Sequence, residues 1–166
     1  MISFKEENRK FNFRVGAIII SSDKKKVLLH TIKGYDFYLL PGGRVEWMEF
    51  CKDAIKRELE EELGLKDIDP KERLFLEDMF IFKDDEFQEI SNDFVIELDD
   101  RHAFLEEQDR FDGVEGEKYI YQWANIDEID NYTIKPALLK DVIKNYKNGF
   151  EYKQLEERKW KQRVFL

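Results

Sequence analysis

Between positions 57 and 62 the chain reads Arg-Glu-Leu-Glu-Glu-Glu, followed by Leu63-Gly64-Leu65. Ile55, Leu59 and Leu63 recur every four residues, which predicts a helix with one apolar stripe. On that helix Glu58, Glu61 and Glu62 share a face, being related as i, i+3 and i+4, while Glu60 points roughly the opposite way. The arrangement opposes stability. Like charges at these spacings cost about 0.2–0.5 kcal/mol per pair, and acids near a helix C-terminus also oppose the helix dipole. A solvated surface face would account for Arg57 pairing with Glu61 at i+4, but it leaves Glu58 and Glu62 without partners. A hard divalent cation removes the repulsion. Mg²⁺ takes oxygen ligands, keeps several waters and is commonly completed by substrate phosphates. An acidic stripe, magnesium and a polyphosphate therefore form one chemical unit.

The elements that must position this stripe follow from the flanking pattern. Phe13–Ile20 and Lys26–Lys33 are rich in apolar and β-branched residues around the polar turn Ser21-Ser22-Asp23-Lys24-Lys25, and read as a hairpin. Phe37–Leu40 reads as a short strand stopped by Pro41-Gly42-Gly43. The helix is expected from about Glu49 to Leu63, with Gly64 as its left-handed terminator. Strand patterns return at Leu74–Phe82, Phe87–Leu98 and Tyr119–Ala124, and Pro136 is expected to open a second helix reaching about Lys147. The tail from Phe150 to Leu166 follows no single period. Two helices are too few for a doubly wound parallel sheet, so an α/β sandwich is the expected class.

Length and composition bound the rest. The chain has 166 residues, enough for one domain with a real core, and carries no internal repeat. Its net charge of −9 repels phosphate backbones and argues against nucleic acid as a partner. An anionic protein that handles anionic phosphates needs cations between the two. Cys51 is the one cysteine, so neither an intrachain disulfide nor a CxxC metal site exists. The N-terminus lacks the apolar run of a signal peptide, and no apolar stretch reaches bilayer length. A cytoplasmic protein without a membrane partner is expected.

Taken with its upstream residues, the stripe completes a longer pattern. Gly43, five residues, Glu49, seven residues, then Arg57-Glu58-Leu59-x-Glu61-Glu62-x-Gly64-Leu65 resembles the signature of the Nudix hydrolases, with every fixed position occupied over 23 residues. The resemblance implies an α/β/α sandwich with a mixed β-sheet, its core over about residues 10–148 of a single domain spanning 1–166. It implies hydrolysis of a nucleoside diphosphate linked to a group X by water attack on phosphorus, giving a nucleoside monophosphate and phosphate-X. Mg²⁺ is the implied cofactor, with Mn²⁺ as substitute. Glu61 and Glu62 would be metal ligands, Glu58 a ligand or the general base, and Arg57 the residue orienting a glutamate. Glu49 would add a carboxylate, while Gly42 and Gly43 would let the backbone approach the metal, with the Gly42 carbonyl a candidate ligand. A further glutamate commonly comes from a later loop, where Glu115 and Glu117 are the candidates and Glu117 is preferred by its distance to Trp123. One position departs from the family habit: Met48 stands where glycine is frequent before Glu49, so the approach to the helix is expected to differ in shape.

Other signals carry less. Cys51 has no histidine near it in sequence and is expected to be packing rather than a nucleophile. His30 and His102 make no metal-spacing pair. Phe37 and Tyr38 before the glycine turn could stack a nucleobase, and Arg44 after it could reach a phosphate; packing and surface roles compete equally. The basic run Arg158-Lys159-Trp160-Lys161-Gln162-Arg163 is expected to be a solvated chain end rather than a nucleic-acid contact. A non-catalytic nucleotide sensor is the alternative to an enzyme, and the complete glutamate set weighs against it. An isoprenoid diphosphate isomerase would need a differently placed cysteine. The substrate stays open among oxidised dNTPs, ADP-ribose, dinucleoside polyphosphates, nucleotide sugars and RNA 5′ ends. A homodimer is implied only by family habit.

Overall fold

Alternation along one strand decides the architecture. Val15, Ala17 and Ile19 face one side, Ile18 and Ile20 the other, and all five are fully buried. A strand buried on both faces must lie inside a sheet covered on both sides. The computed structural model describes residues 1–157. In chain order its elements are β1 (Ser3–Glu6), β2 (Arg9–Ile20), β3 (Lys26–Ile32), β4 (Gly42–Arg44), α1 (Cys51–Leu63), β5 (Lys71–Phe82), β6 (Asp85–Glu97), β7 (Arg110–Gly113), β8 (Gly116–Asn125), α2 (Leu139–Lys144) and β9 (Glu151–Glu156). Short 3₁₀ turns occupy Asp100–Glu106 and Ile126–Asn131.

The described strands join one mixed sheet in the order β7-β8-β3-β2-β6-β5-β9, with β1 and β4 added to β2. β2 runs parallel to β6, and β5 parallel to β9; the other pairs are antiparallel. On one face Val15, Ala17 and Ile19 pack with Leu28, Phe94 and Tyr121 against Ala54, Ile55, Leu59 and Leu63 of α1. On the other, Ile18 and Ile20 pack with Leu29 and Leu74 against Leu139, Val142 and Ile143 of α2. The result is the expected α/β/α sandwich. Among the described residues no helix is long and apolar enough to cross a membrane.

Several boundaries differ from the sequence reading. The expected hairpin holds only at its closed end, where Ile20 pairs with Val27. Beyond it β2 and β3 splay, because β3 takes β8 as its partner along its whole length. The chain that follows β3 enters the gap. Leu39 exchanges backbone hydrogen bonds with His30 on β3 (2.7 and 2.9 Å), the Pro41 carbonyl accepts from Ala17 on β2 (2.8 Å), and β4 then pairs with Arg14–Gly16. Phe37–Leu40 is therefore no strand but a segment with two isolated bridges, His30 to Leu39 and Tyr38 to Ile134.

The second helix is shorter than Pro136 suggested: Pro136 does not open it, and only Leu139–Lys144 is α-helical. Four short strands lacked a usable sequence period: β1, β4, β7 and β9, the last lying in the tail and lengthening the sheet beside β5. The basic run beginning at Arg158 lies outside the described residues.

Candidate active site

α1 begins at Cys51 without a side-chain cap and ends at Gly64, whose φ of 65° and ψ of 20° make the expected left-handed terminator. The Leu65 N–H then returns to the Leu59 carbonyl at 3.2 Å, and Leu65 is buried. This end anchors the acidic stripe against the sheet. Glu49 lies just before the helix rather than within its first turn, because Phe50 is extended (φ −77°, ψ 149°) and serves as the N-cap; Met48 ahead of it is left-handed at φ 61°. The backbone here keeps the conformation that glycine favours, with a fully exposed methionine in its place.

Arg57 gathers the motif. Its Nε and Nη2 donate to the two carboxylate oxygens of Glu49 at 2.7 and 3.0 Å, a bidentate pair. Nη1 donates to Glu58 at 2.8 Å and to Glu61 at 3.3 Å, and Nη2 also reaches the Arg44 carbonyl at 3.1 Å. The i+4 contact to Glu61 expected from spacing is thus the longest of its carboxylate contacts, and Glu49 dominates. Glu49 is fixed further by the Glu46 N–H, which donates to it at 2.9 Å. Arg57 holds Glu49 below the usual carboxylate range, and that side chain in turn raises the arginine.

Glu58 and Glu62 behave differently. Burial pushes Glu58 up against the opposing pull of Arg57. Burial also pushes Glu62 up to about 7, with the Glu58 and Glu115 charges adding and a hydrogen bond from Tyr121 opposing. The Tyr121 hydroxyl donates to Glu62 Oε2 at 2.7 Å. Glu60 faces away, as its phase requires, and pairs with Lys66 at 3.3 Å on the exposed side.

Gly43 explains how Glu58 fits beside β4. A Cβ on Gly43 would lie 2.2 Å from Glu58 Cδ, so the carboxylate occupies the space a side chain would take. Gly42 has φ 151°, and a Cβ there would meet the Val15 carbonyl oxygen at 2.1 Å. Among the described residues no three His, Cys, Asp or Glu side chains are already gathered as a metal cluster. Arg57 stands among Glu49, Glu58 and Glu61, and Tyr121 holds Glu62.

The remaining candidates are dispersed. Glu115 lies in the exposed turn between β7 and β8, and its charge acts on both Glu62 and Tyr121. Glu117 is the second residue of β8 and is exposed. Arg44 sits on β4 with Nη1 3.1 Å from the Met1 sulfur. Phe37 is buried in an aromatic group, stacked on Tyr35 at 5.0 Å, edge-on to Phe82 at 6.1 Å and capped by Lys135 at 4.4 Å. Tyr38 packs edge-on to Tyr132 and accepts a hydrogen bond from Arg110 at 3.1 Å. Cys51 is half-buried against the α1-side core, and burial raises its thiol. His102 is structural: Nδ1 accepts from the Asp99 N–H and Nε2 lies 2.9 Å from the Lys66 carbonyl. His30 is buried against Tyr119 and Tyr121, and burial lowers it to about 4. Sequence reasoning missed Tyr121. The alternation of Tyr119, Tyr121 and Trp123 put them on one face, but nothing local ties that face to Glu62.

Comparison with known proteins agrees with this geometry. Residues 10–146 match the sequence profile of the NUDIX domain. A search of curated protein sequences finds no significant match. Among solved structures, a MutT protein from Bacillus halodurans aligns with a TM-score of 0.66 at 16% identity, covering 89% of this chain and 90% of its own. The dihydroneopterin triphosphate pyrophosphohydrolase of E. coli aligns at 0.60 and 19% identity, covering 81% and 93%. A MutT protein from Methanosarcina mazei Go1 aligns at 0.52 and 19%, covering 86% and 96%. At these identities the structural likeness speaks for the fold alone. The profile match over most of the chain, joined to a complete glutamate signature on α1, shows that this chain belongs to the Nudix family.

Proposed function

We propose that this Nudix hydrolase splits a nucleoside diphosphate linked to a group X, by water attack on phosphorus, into a nucleoside monophosphate and phosphate-X. The observation that carries the reading is the pair Glu58 and Glu62, two carboxylates on one face of α1, both largely withdrawn from water and both raised by that burial. Arg57, the one cation bonded to Glu58 among the described residues, is already divided among Glu49, Glu58 and Glu61. An oxygen-only donor set with uncompensated negative charge fits a hard divalent cation, Mg²⁺ with Mn²⁺ as substitute.

Glu58, Glu61 and Glu62 would hold it, joined by the Gly42 carbonyl and by an acid from the β7–β8 turn. Sequence spacing favours Glu117 for that last place; the electrostatic reach to Glu62 favours Glu115. When bound, the cation neutralises charge on the phosphate oxygens and acidifies water. Arg57 orients Glu58 and Glu49 through charge-assisted bonds, so that Glu58 stands ready either as ligand or as the base that takes a proton from the attacking water. Arg44, next to Gly43, is the phosphate contact in this reading, and the half-buried Tyr38 ring offers a surface to the base or to X, whereas Phe37 is buried between Tyr35 and Lys135 and is core packing instead.

The test is a hydrolysis panel with Mg²⁺ or Mn²⁺, chelator controls and product identification by mass. It includes nucleoside triphosphates, oxidised dGTP, ADP-ribose, dinucleoside polyphosphates, nucleotide sugars and triphosphorylated RNA. The structural neighbours named MutT and pyrophosphohydrolase make triphosphates the first compounds to try. Chelator-sensitive release of a monophosphate from one class supports the proposal and names the substrate. Nucleotide binding without turnover by folded, metal-loaded protein would replace it with a sensor.

A further inference from the structure

Two contacts hold Glu62 from outside its own helix, and both come from the β7–β8 hairpin. The Val114 N–H donates to the Glu62 carbonyl at 2.9 Å, and the Tyr121 hydroxyl donates to Glu62 Oε2 at 2.7 Å. The Tyr121 ring has little freedom. It is fully buried, stacked on His30 at 5.1 Å on one side and on Phe111 at 5.7 Å on the other. Gly113 closes the ring edge: a Cβ there would lie 2.9 Å from Tyr121 Cε2. A buried tyrosine hydroxyl needs an acceptor, and a carboxylate is a strong one. A glutamate side chain left to itself samples several rotamers; one bonded to an immobile hydroxyl keeps one.

We infer that Tyr121 is a positioning residue for cation binding: its clamped hydroxyl fixes the Glu62 carboxylate in the orientation that receives the divalent ion. The inference rests on the proposed role of Glu62 as a metal ligand. Tyr121 touches neither substrate nor cation in this account and acts only through Glu62. Partners that orient a metal ligand are commonly worth about 10- to 100-fold in metal affinity when removed, and a preorganised ligand set depends on such support. Gly113 belongs to the same device, because a Cβ there would press on the Tyr121 ring edge at 2.9 Å and force a shift beside Glu62.

The experiment measures Mn²⁺ binding without substrate, by calorimetry and by the electron paramagnetic resonance of free Mn²⁺, on the full chain and on Tyr121→Phe. Phenylalanine keeps the ring and both stacking contacts, so the circular dichroism spectrum and melting temperature should stay near those of the parent. The Mn²⁺ Kd should rise about 10- to 100-fold, with kcat falling more than KM changes. Tyr119→Phe, which removes a hydroxyl two residues along the same strand, should leave Kd within twofold. Should Tyr121→Phe fold poorly, Gly113→Ala retains the hydroxyl, moves the ring, and should raise Kd in the same direction.

A Tyr121→Phe protein that binds Mn²⁺ within twofold of the parent, while Glu62→Gln loses binding, overturns the inference and leaves the metal reading standing. Tighter binding overturns it as well, since the hydroxyl would then be competing with the ion for Glu62. Unchanged Mn²⁺ binding in Glu62→Gln removes the metal reading itself, and the inference with it.

Discussion

Replacing Gly43 with alanine separates the cost of folding from the cost of function. The new Cβ would lie 2.2 Å from Glu58 Cδ and 2.3 and 2.5 Å from its oxygens, whereas ordinary contact begins near 3.4 Å. The atoms it meets are the far end of a flexible side chain, so Glu58 swings aside and the backbone stays. The shift must exceed about 1 Å, enough to break the 2.8 Å bond from Arg57 to Glu58. Losing one hydrogen bond to a charged group costs about 1.5–3 kcal/mol. Relief of the desolvation that raises Glu58 returns part of it, so the net loss should be near 1 kcal/mol. Function should suffer more, since a misplacement of about 1 Å in a catalytic group can cost about 100-fold in rate.

Gly64→Ala is the control. Nothing lies within 4 Å of a Cβ there, yet the left-handed φ of 65° is strained for alanine, so it should lose about 1 kcal/mol and keep its turnover. The assay pairs urea denaturation with steady-state hydrolysis of whichever substrate the panel identifies. Turnover in Gly43→Ala within threefold of the parent would refute the account of Gly43 as the space for Glu58.

Three further outcomes are expected. Asp78 is buried with an unbonded Oδ1 and is pushed up to about 7, first by burial and then by Glu157 and Glu89. Its folded-state value lies above the unfolded one, so the folded protein binds the proton more tightly and loses stability as pH rises between about 4 and 7. The melting temperature should therefore decline over that range, and Asp78→Asn should flatten the decline; an unchanged slope in the variant would exclude Asp78 as its source. Arg73 is buried and donates to the Asn145 carbonyl at 3.1 and 3.3 Å and to Gly149 at 3.2 Å, with Glu151 as its ion partner at 3.0 Å. Arg73→Ala strands those acceptors and should cost about 3 kcal/mol in denaturant titration, and a loss under 1 kcal/mol would mean that water replaces the guanidinium. Glu60→Gln should be nearly silent in both stability and turnover, because its exposed pair with Lys66 is worth little; a clear loss of turnover would mean that the helical phase of the stripe is wrong.

Local periodicity carries information only over a few residues, and the parts of this protein that depend on it were legible without a structure. The helical phase put Glu58, Glu61 and Glu62 on one side and Glu60 on the other, and Gly64 ended the helix where a left-handed residue was needed. Apolar runs located β2, β3, β5, β6 and β8 to within a few residues. Adjacency in space is another matter, because it depends on which strand edges pair and how far they splay.

Spacing offered Arg57 the i+4 partner Glu61, yet the fold brings Glu49 closer, from a segment that Met48 turns back toward the arginine. The gap between β2 and β3 opens because β3 pairs with β8, and into that gap goes the segment that read as a strand of its own. Tyr121 reaches Glu62 across 59 residues of sequence. No pattern in the chain encodes that meeting, since it arises only when β8 closes on β3 and α1 packs across the same face of the sheet.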